Sequence, residues 1–349
     1  MKGNLISKII KRTLLALLFF ILIINIPLTN LKHLETTNDY NNWMKDNLKN
    51  DTLLVETKML GAHDAFSSEI NYTSPPDVSA DKIMTGLPGA LLKGYLIKQS
   101  VTQKTDVNGL LKNGVRYLDI RLTYDNDTWV TKHNFVSSDF IKIADDLVTY
   151  LNTYQGEFLI LDFQHIDGLD YNSDTDYQTF LKMLEDTTLL DYQYVDSNKS
   201  LGEITYQEIT NNKTTSKIII IDKFTKQNKE TYSYNETIRS SWANTDNFAN
   251  TVTFLNDEAS YIKSTTTLDD SFKVMQAVLT TQMTPKGIVD SLVSWSLIAR
   301  AEDFNNYLIN NEAFDDLMEV LPIIMVDYAN CNTNDFVDNI MEKIIEANK

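Results

Sequence analysis

Phe140-Ile-Lys-Ile-Ala-Asp-Asp-Leu-Val-Thr-Tyr-Leu-Asn-Thr-Tyr154 is followed, after Gln155 and Gly156, by Glu157-Phe-Leu-Ile-Leu-Asp-Phe163. In the first stretch apolar side chains recur every three or four residues, as on a helix with one buried face. The second is a short, nearly unbroken apolar run, as in a strand covered on both faces. Working outward, the same alternation continues. Strands are predicted over Thr52 to Leu60, Val115 to Leu122, Thr128 to Lys132, Lys217 to Asp222, Phe272 to Leu279 and Leu321 to Asp327. Helices are predicted over Tyr40 to Leu48, Tyr177 to Leu184, Lys286 to Ile309 and Asp335 to Ala347.

Apolar strands alternating with amphipathic helices predict an α/β fold with a parallel sheet and crossover helices. Their repetition suggests a TIM-type (β/α) barrel, distorted or incompletely closed. No Pro-, Gly- or Ser-rich boundary divides the chain and no internal repeat is visible, so residues 31–349 read as one catalytic barrel. Residues 1–30 read differently. Lys2, Lys8, Lys11 and Arg12 precede an apolar run from Thr13 to Ile26, the pattern of a signal peptide or an uncleaved signal anchor. That pattern implies an extracellular protein, secreted or held on the outer face of the cell membrane by the segment.

The 349 residues are 43% hydrophobic and carry a formal net charge of −17. With no basic patch to neutralise phosphates, nucleic acid is not an expected partner. Cys331 is the single cysteine, which excludes an internal disulfide framework and a cysteine-based zinc site. Asp170-x-Asn172-x-Asp174-x-Asp176 partly matches a calcium loop. Thr175 stands where the sharp turn needs glycine and Leu181 where a bidentate Glu belongs, so it reads as a solvated acidic loop.

In β/α barrels the reactive groups sit at the C-terminal ends of strands. Three such ends are unusually polar here: Leu60-Gly-Ala-His-Asp-Ala-Phe66, Asp119-Ile-Arg-Leu122 leading on to Thr131-Lys-His133, and Val326-Asp327-Tyr328. His63 and His133 are imidazoles suited to moving protons near neutral pH, as base and acid of one phosphoryl transfer. Arg121 can hold phosphate oxygens in a fork. Asp64 and Asp327 can orient the imidazoles and favour their protonated forms. Asp119 can orient Arg121.

These residues carry a resemblance. Leu60-Gly-Ala-His-Asp-Ala65 resembles the opening of the phosphatidylinositol-specific phospholipase C X domain. Gly114-Val-Arg-Tyr-Leu-Asp-Ile-Arg121 resembles its second motif, and Lys132-His133-Asn134 stands at the spacing of its second histidine. Ile324-Met-Val-Asp327-Tyr-Ala-Asn330 looks like the strand bearing the carboxylate partner of the base, and Phe336 to Lys349 is similar to the closing helix. The resemblance implies that His63 deprotonates an inositol 2-hydroxyl, supported by Asp327. It also implies that His133, coupled to Asp64, protonates the diacylglycerol leaving group while Arg121 binds the phosphate. Because calcium-dependent relatives have acidic groups where Arg121 stands and Asn where Asp64 stands, it implies the bacterial, metal-independent type with no cofactor.

The implied partner is a phospholipid at a membrane surface, and the protein is expected to be a monomer. Gln164 is expected at the barrel mouth with Asp162, Lys223 at an inositol-contacting position and Trp242 at the border of the pocket. Together with Asp119 these are the expected substrate-binding residues. His165 reads as structural or peripheral. Two other readings remain open: a non-catalytic module binding lipid headgroups, and a phosphodiesterase acting on another phospholipid.

Overall fold

The computed structural model describes residues 2–26, 34–80, 82–225, 230–265, 268, 270–282 and 297–349. Among the described residues there are ten strands: β1 Met59–Ala62, β2 Val115–Asp125, β3 Thr128–His133, β4 Phe135–Asp139, β5 Phe158–Asp167, β6 Lys217–Asp222, β7 Tyr232–Ser233, β8 Ile238–Ser241, β9 Phe272–Ala277 and β10 Ile323–Val326. Eight of them form one sheet in the order β7-β6-β5-β2-β1-β10-β9-β8, and every pairing along that path is parallel. β3 and β4 add an antiparallel flap to β2. β7 and β8 are the two ends of the path, with the short helix Tyr234–Thr237 between them. The result is a curled, open parallel sheet, a barrel that does not close.

Physical causes are visible locally. The helix Phe140–Thr153 begins where Asp139 accepts a hydrogen bond from the Ile141 amide at 3.0 Å, satisfying one of the free amides of its first turn. It buries Phe140, Ile143, Ala144, Leu147 and Leu151, the stripe that three- and four-residue spacing predicts. Phe163 on β5 meets Phe140 at 5.6 Å and Phe180 at 5.1 Å between ring centroids, both edge-on. β6 buries Ile218, Ile219, Ile220 and Ile221 completely, because helices cover one face of the sheet and the barrel interior occupies the other. Burial of each such side chain contributes about 1.5–3 kcal/mol.

At the base of the barrel, Arg116 is fully buried. Its Nε donates to Glu157 Oε2 at 2.8 Å, and its Nη atoms donate to the carbonyls of Tyr40, Asn41, Leu111 and Val115.

Several boundaries differ from the sequence reading. The first strand is shorter than Thr52 to Leu60: Leu54–Glu56 forms a 3-10 turn whose Leu54 amide bonds Ile204 O at 3.0 Å, so this stretch plugs the barrel base. β10 starts after Pro322, whose carbonyl accepts from Met59. The helix predicted from Lys286 is described from Leu297 to Ile309, and its earlier part lies outside the described residues. The helix Phe248–Lys263 was not predicted. The acidic loop at Asp170 to Asp176 opens the helix Asp174–Asp186, and Asp176 Oδ2 accepts from the Asp170 amide at 2.8 Å.

The N-terminus requires a correction. Lys2–Ile24 forms one helix, but no described helix is long and apolar enough to cross a membrane. Its uncharged part begins only after Arg12, whereas a span needs about 20 apolar residues. The expected N-terminal membrane anchor, and with it attachment to the outer face of the cell membrane by that segment, is therefore overturned. The helix ends against the protein itself. Asn25 Nδ2 donates to Leu91 O at 2.9 Å, the Gly94 amide donates to Asn25 Oδ1 at 2.7 Å, and Lys98 Nζ donates to Ile24 O at 2.8 Å. His33 and the stretch from Leu28 to Lys32 lie outside the described residues.

Candidate active site

Residues two apart on a strand share a face, so β2 presents Tyr117, Asp119 and Arg121 to the barrel interior. His63 follows β1, Asp327 follows β10 and His133 ends β3. Asp64 has φ +41°, a conformation that costs energy for a residue with a Cβ and clusters at functional sites. The turn lets His63 and Asp64, consecutive in sequence, both face inward.

His63 Nδ1 lies 2.7 Å from Asp327 Oδ1, and its Nε2 lies 3.2 Å from Arg121 Nη2 and 3.5 Å from Asp64 Oδ2. His133 stands across from it, with ring centroids 6.2 Å apart and an interplanar angle of 70°. His133 Nδ1 is 2.8 Å from Ser100 O and 3.3 Å from Asp64 Oδ2. A carbonyl only accepts, so Nδ1 carries the proton in that contact and Nε2 is left for the cavity. The nearest partner of this ring is thus a backbone carbonyl, with Asp64 second. Arg121 Nε pairs with Asp64 Oδ1, and Nη2 reaches Asp119 Oδ2 at 3.4 Å. Asp119 Oδ2 also accepts from the Asp64 amide at 3.2 Å.

The charges set the proton affinities. Burial lowers that of His63, but Asp64 and Asp327 outweigh it and raise the value to about 9. For His133, burial prevails, reinforced by Arg121 and His63, and the value falls below the ordinary one despite Asp64. Burial works to raise Asp64, yet Arg121 and the two imidazoles hold it well below the carboxylate range. Contact and charge disagree at His63. A guanidinium has donors only, so the 3.2 Å contact with Arg121 is that of a neutral ring accepting at Nε2, whereas the carboxylates favour the protonated ring. The upward direction stands, because two fixed carboxylates flank the ring and Arg121 is already held by Asp64 and Asp119. The contact depicts the form able to take up a proton.

A cavity of about 500 Å³ opens over these groups. It is lined by His63, Arg121, His133 and Asp327 together with Gln164, His165, Tyr234, Ser240, Trp242 and Gln276. Asp64 and Asp119 are buried and outside the lining. Lys223 is not among the lining side chains. Its Nζ sits 4.4 Å from the centroid of the Tyr234 ring, and its charge acts on Asp162 and Asp119. Asp162 is fully buried and accepts from Tyr117 OH at 2.6 Å. Burial and neighbouring Asp119 push its value up to about 7.

His165 reaches the cavity because β5 is bulged. Ile120 pairs with Phe163 but Arg121 pairs with His165, leaving Gln164 as the extra residue; a bulge re-aims side chains in this way. Tyr234, Ser240 and Gln276 were missed by sequence reasoning. Gln276 Nε2 donates to Ser240 Oγ at 2.7 Å, and nothing in the sequence marks either residue apart from its place at a strand end.

Among the described residues, one group has metal-ligand chemistry: His63, Asp64 and Asp119, with ligand atoms within 4.8 Å of one another. Arg121 pairs with both carboxylates of that group and contacts the imidazole. A divalent ion there would have to displace a cation that already neutralises the carboxylates.

No family model matches the chain. Over 148 residues it is 30% identical to a PI-PLC X-box domain-containing protein of Dictyostelium discoideum, a match covering 42% of this chain and 19% of that protein. Over 137 residues it is 29% identical to the variant-surface-glycoprotein phospholipase C of Trypanosoma cruzi, covering 36% of each. The chain thus spans less than half the length of these curated relatives.

Among solved structures, a phosphatidylinositol-specific phospholipase C from Staphylococcus aureus superposes with a TM-score of 0.63 at 17% identity, over 89% of this chain and 98% of that one. The phosphatidylinositol-specific phospholipase C from Listeria monocytogenes gives 0.55 at 16%, over 89% and 99%. At such identities the structural likeness establishes the fold, an open α/β barrel of the phospholipase C kind. The sequence matches show homology to the phosphatidylinositol-specific phospholipase C X-domain family.

Proposed function

We propose that the protein is a metal-independent phosphodiesterase that cleaves phosphatidylinositol-type lipids at a membrane surface to diacylglycerol and an inositol cyclic phosphate. The observation that carries this reading is the pair of imidazoles lining one cavity, their ring centroids 6.2 Å apart, with the Arg121 guanidinium in contact with one of them.

His63 Nε2 takes the proton of the 2-hydroxyl as that oxygen attacks phosphorus. Asp327, bonded to Nδ1, steadies the imidazolium that forms. Arg121 holds the non-bridging oxygens and offsets the charge growing on them. His133, its Nδ1 fixed by Ser100 O and close to Asp64, gives its Nε2 proton to the departing diacylglycerol oxygen. Because the nucleophile belongs to the same molecule as the phosphate, little entropy is lost in bringing them together. Arg121 supplies the positive charge, so no step requires a metal. Gln164 and Trp242, which line the cavity, with Lys223 and Asp119 outside its lining, are the groups assigned to the headgroup.

The test is a panel of phospholipids of different headgroup presented in vesicles, with products followed by phosphorus NMR. A cyclic inositol phosphate formed from phosphatidylinositol supports the reading. Turnover of a choline or ethanolamine lipid in preference to it would favour a different substrate. Headgroup binding with no turnover of any lipid would favour a non-catalytic binding module.

A further inference from the structure

The sharpest unexplained feature near the cavity is a short strap, residues 100–103, that follows the helix Lys93–Ser100. Four consecutive residues serve the ends of three strands. Ser100 O holds His133 Nδ1, and Ser100 Oγ accepts from Asn134 Nδ2 at 3.2 Å. Val101 O accepts from Tyr328 OH. Thr102 Oγ1 donates to Asp64 O at 3.1 Å, and Thr102 O accepts from the Tyr328 amide at 2.6 Å. Gln103 is fully buried, yet all of its amide contacts go to backbone at the reacting centre. Its Nε2 donates to His63 O at 2.9 Å and to Val326 O at 3.1 Å, and its Oε1 accepts from the Ala329 amide at 3.0 Å.

One amide thus bridges β1 and β10 where they deliver His63 and Asp327. The direct link between these strand ends is the bond from the His63 amide to Val326 O at 3.1 Å. Beyond it the chains diverge, and Gln103 spans the gap, fixing Val326 on one side of Asp327 and Ala329 on the other. A buried amide can do this because its donor and acceptor are set in one rigid plane. Leaving either unpaired would be costly.

We propose that Gln103 is a positioning residue for the His63–Asp327 pair: it holds the two strand ends in the register that keeps the imidazole and the carboxylate in contact. The proposal rests on the phosphodiesterase reading only for its kinetic consequence, since the positioning itself is a property of the folded protein.

The experiment uses the whole chain and the variants Gln103→Met, of similar length but without polar atoms, and Gln103→Glu, which keeps an acceptor and loses the donor. Folding is checked by near-ultraviolet circular dichroism, and His63 is followed by NMR of ring-labelled protein across pH. In folded variants the His63 titration moves down from its wild-type position as contact with Asp327 loosens. With phosphatidylinositol as substrate, kcat falls about 10- to 100-fold while KM stays within about twofold, as for a displacement of the reacting groups. A His63 titration that stays in place in a folded variant overturns the proposal, whether or not the protein proves to be a phosphodiesterase. So does a loss seen in KM alone.

Should neither variant fold, the wild-type protein carries the test. The Gln103 side-chain amide signal moves with the same midpoint as the His63 ring, and a signal flat through that midpoint overturns the proposal.

Discussion

Replacement of Asp327 by Asn keeps the shape of the side chain and removes its charge, and the consequence can be worked out from the two imidazoles. In the proposed cycle His63 must start neutral and His133 protonated. The surrounding charges favour the opposite, with His63 raised to about 9 and His133 lowered. The dependence of kcat/KM on pH is then a plateau between these two values. It falls on the acid side where His63 protonation is no longer matched by gain at His133, and on the alkaline side above about 9.

The rise of His63 from 6.5 to about 9 corresponds to about 3 kcal/mol. Asp64 and Asp327 share it against burial. A hydrogen bond to a charged group contributes about 1.5–3 kcal/mol and a neutral one about 1 kcal/mol. Asp327→Asn therefore costs the imidazolium about 1–2 kcal/mol, which lowers the alkaline limb by about one pH unit. The same amount is missing from the transition state, so the rate per productive enzyme falls about 5- to 30-fold. Initial rates on phosphatidylinositol vesicles from pH 5 to 10 measure both. An alkaline limb that does not move in the folded variant would refute the assignment of that limb to His63.

Further expectations concern other residues. Arg121→Lys keeps a charge but loses the fork that meets Asp64, Asp119 and phosphate together, so kcat/KM falls by about 100-fold or more in initial-rate assays. Arg116→Met strands Glu157 as a buried carboxylate and destabilises the fold by about 3–5 kcal/mol in urea unfolding, and the double change with Glu157→Gln recovers part of that loss. Because the folded-state value of His63 is raised, its stabilising contribution is complete below pH 6.5 and lost as pH rises through about 9. Wild-type melting temperature therefore drops more steeply over that window than that of Asp327→Asn.

What the sequence revealed followed burial. β6 was readable to the residue, Lys217–Asp222, because four consecutive isoleucines have no other use in a folded chain. The helix Phe140–Thr153 was readable from its stripe. β7, with two residues, and β8, Ile238–Ser241, were not readable, since a cavity-facing strand such as Ile-Arg-Ser-Ser carries little apolar signal. β4 extends a hairpin through Ser137 and Ser138, which resemble a loop.

At the site, His63, His133, Arg121 and Asp327 stood out because such side chains at the ends of apolar strands have few structural uses, and the fold brings all four to one cavity. Gln103 and Ser100 did not stand out. Their roles pass through backbone atoms, and a contact made by a carbonyl leaves no trace in residue type. His165 was read as structural or peripheral, and the bulge in β5 that brings it to the cavity was not foreseeable from Asp162-Phe-Gln-His165. The N-terminal anchor was read from basic residues followed by the apolar run Thr13 to Ile26, and that run is shorter than the about 20 apolar residues a span needs.

Cleavage of inositol-labelled lipid in the presence of excess chelator, by the wild-type chain and by His63→Ala and His133→Ala side by side, tests the central claim most directly. The account predicts that the wild type releases labelled cyclic phosphate at the same rate with and without chelator, and that each variant loses at least about 100-fold. Full activity in either variant, or loss of wild-type activity on chelation, would contradict it.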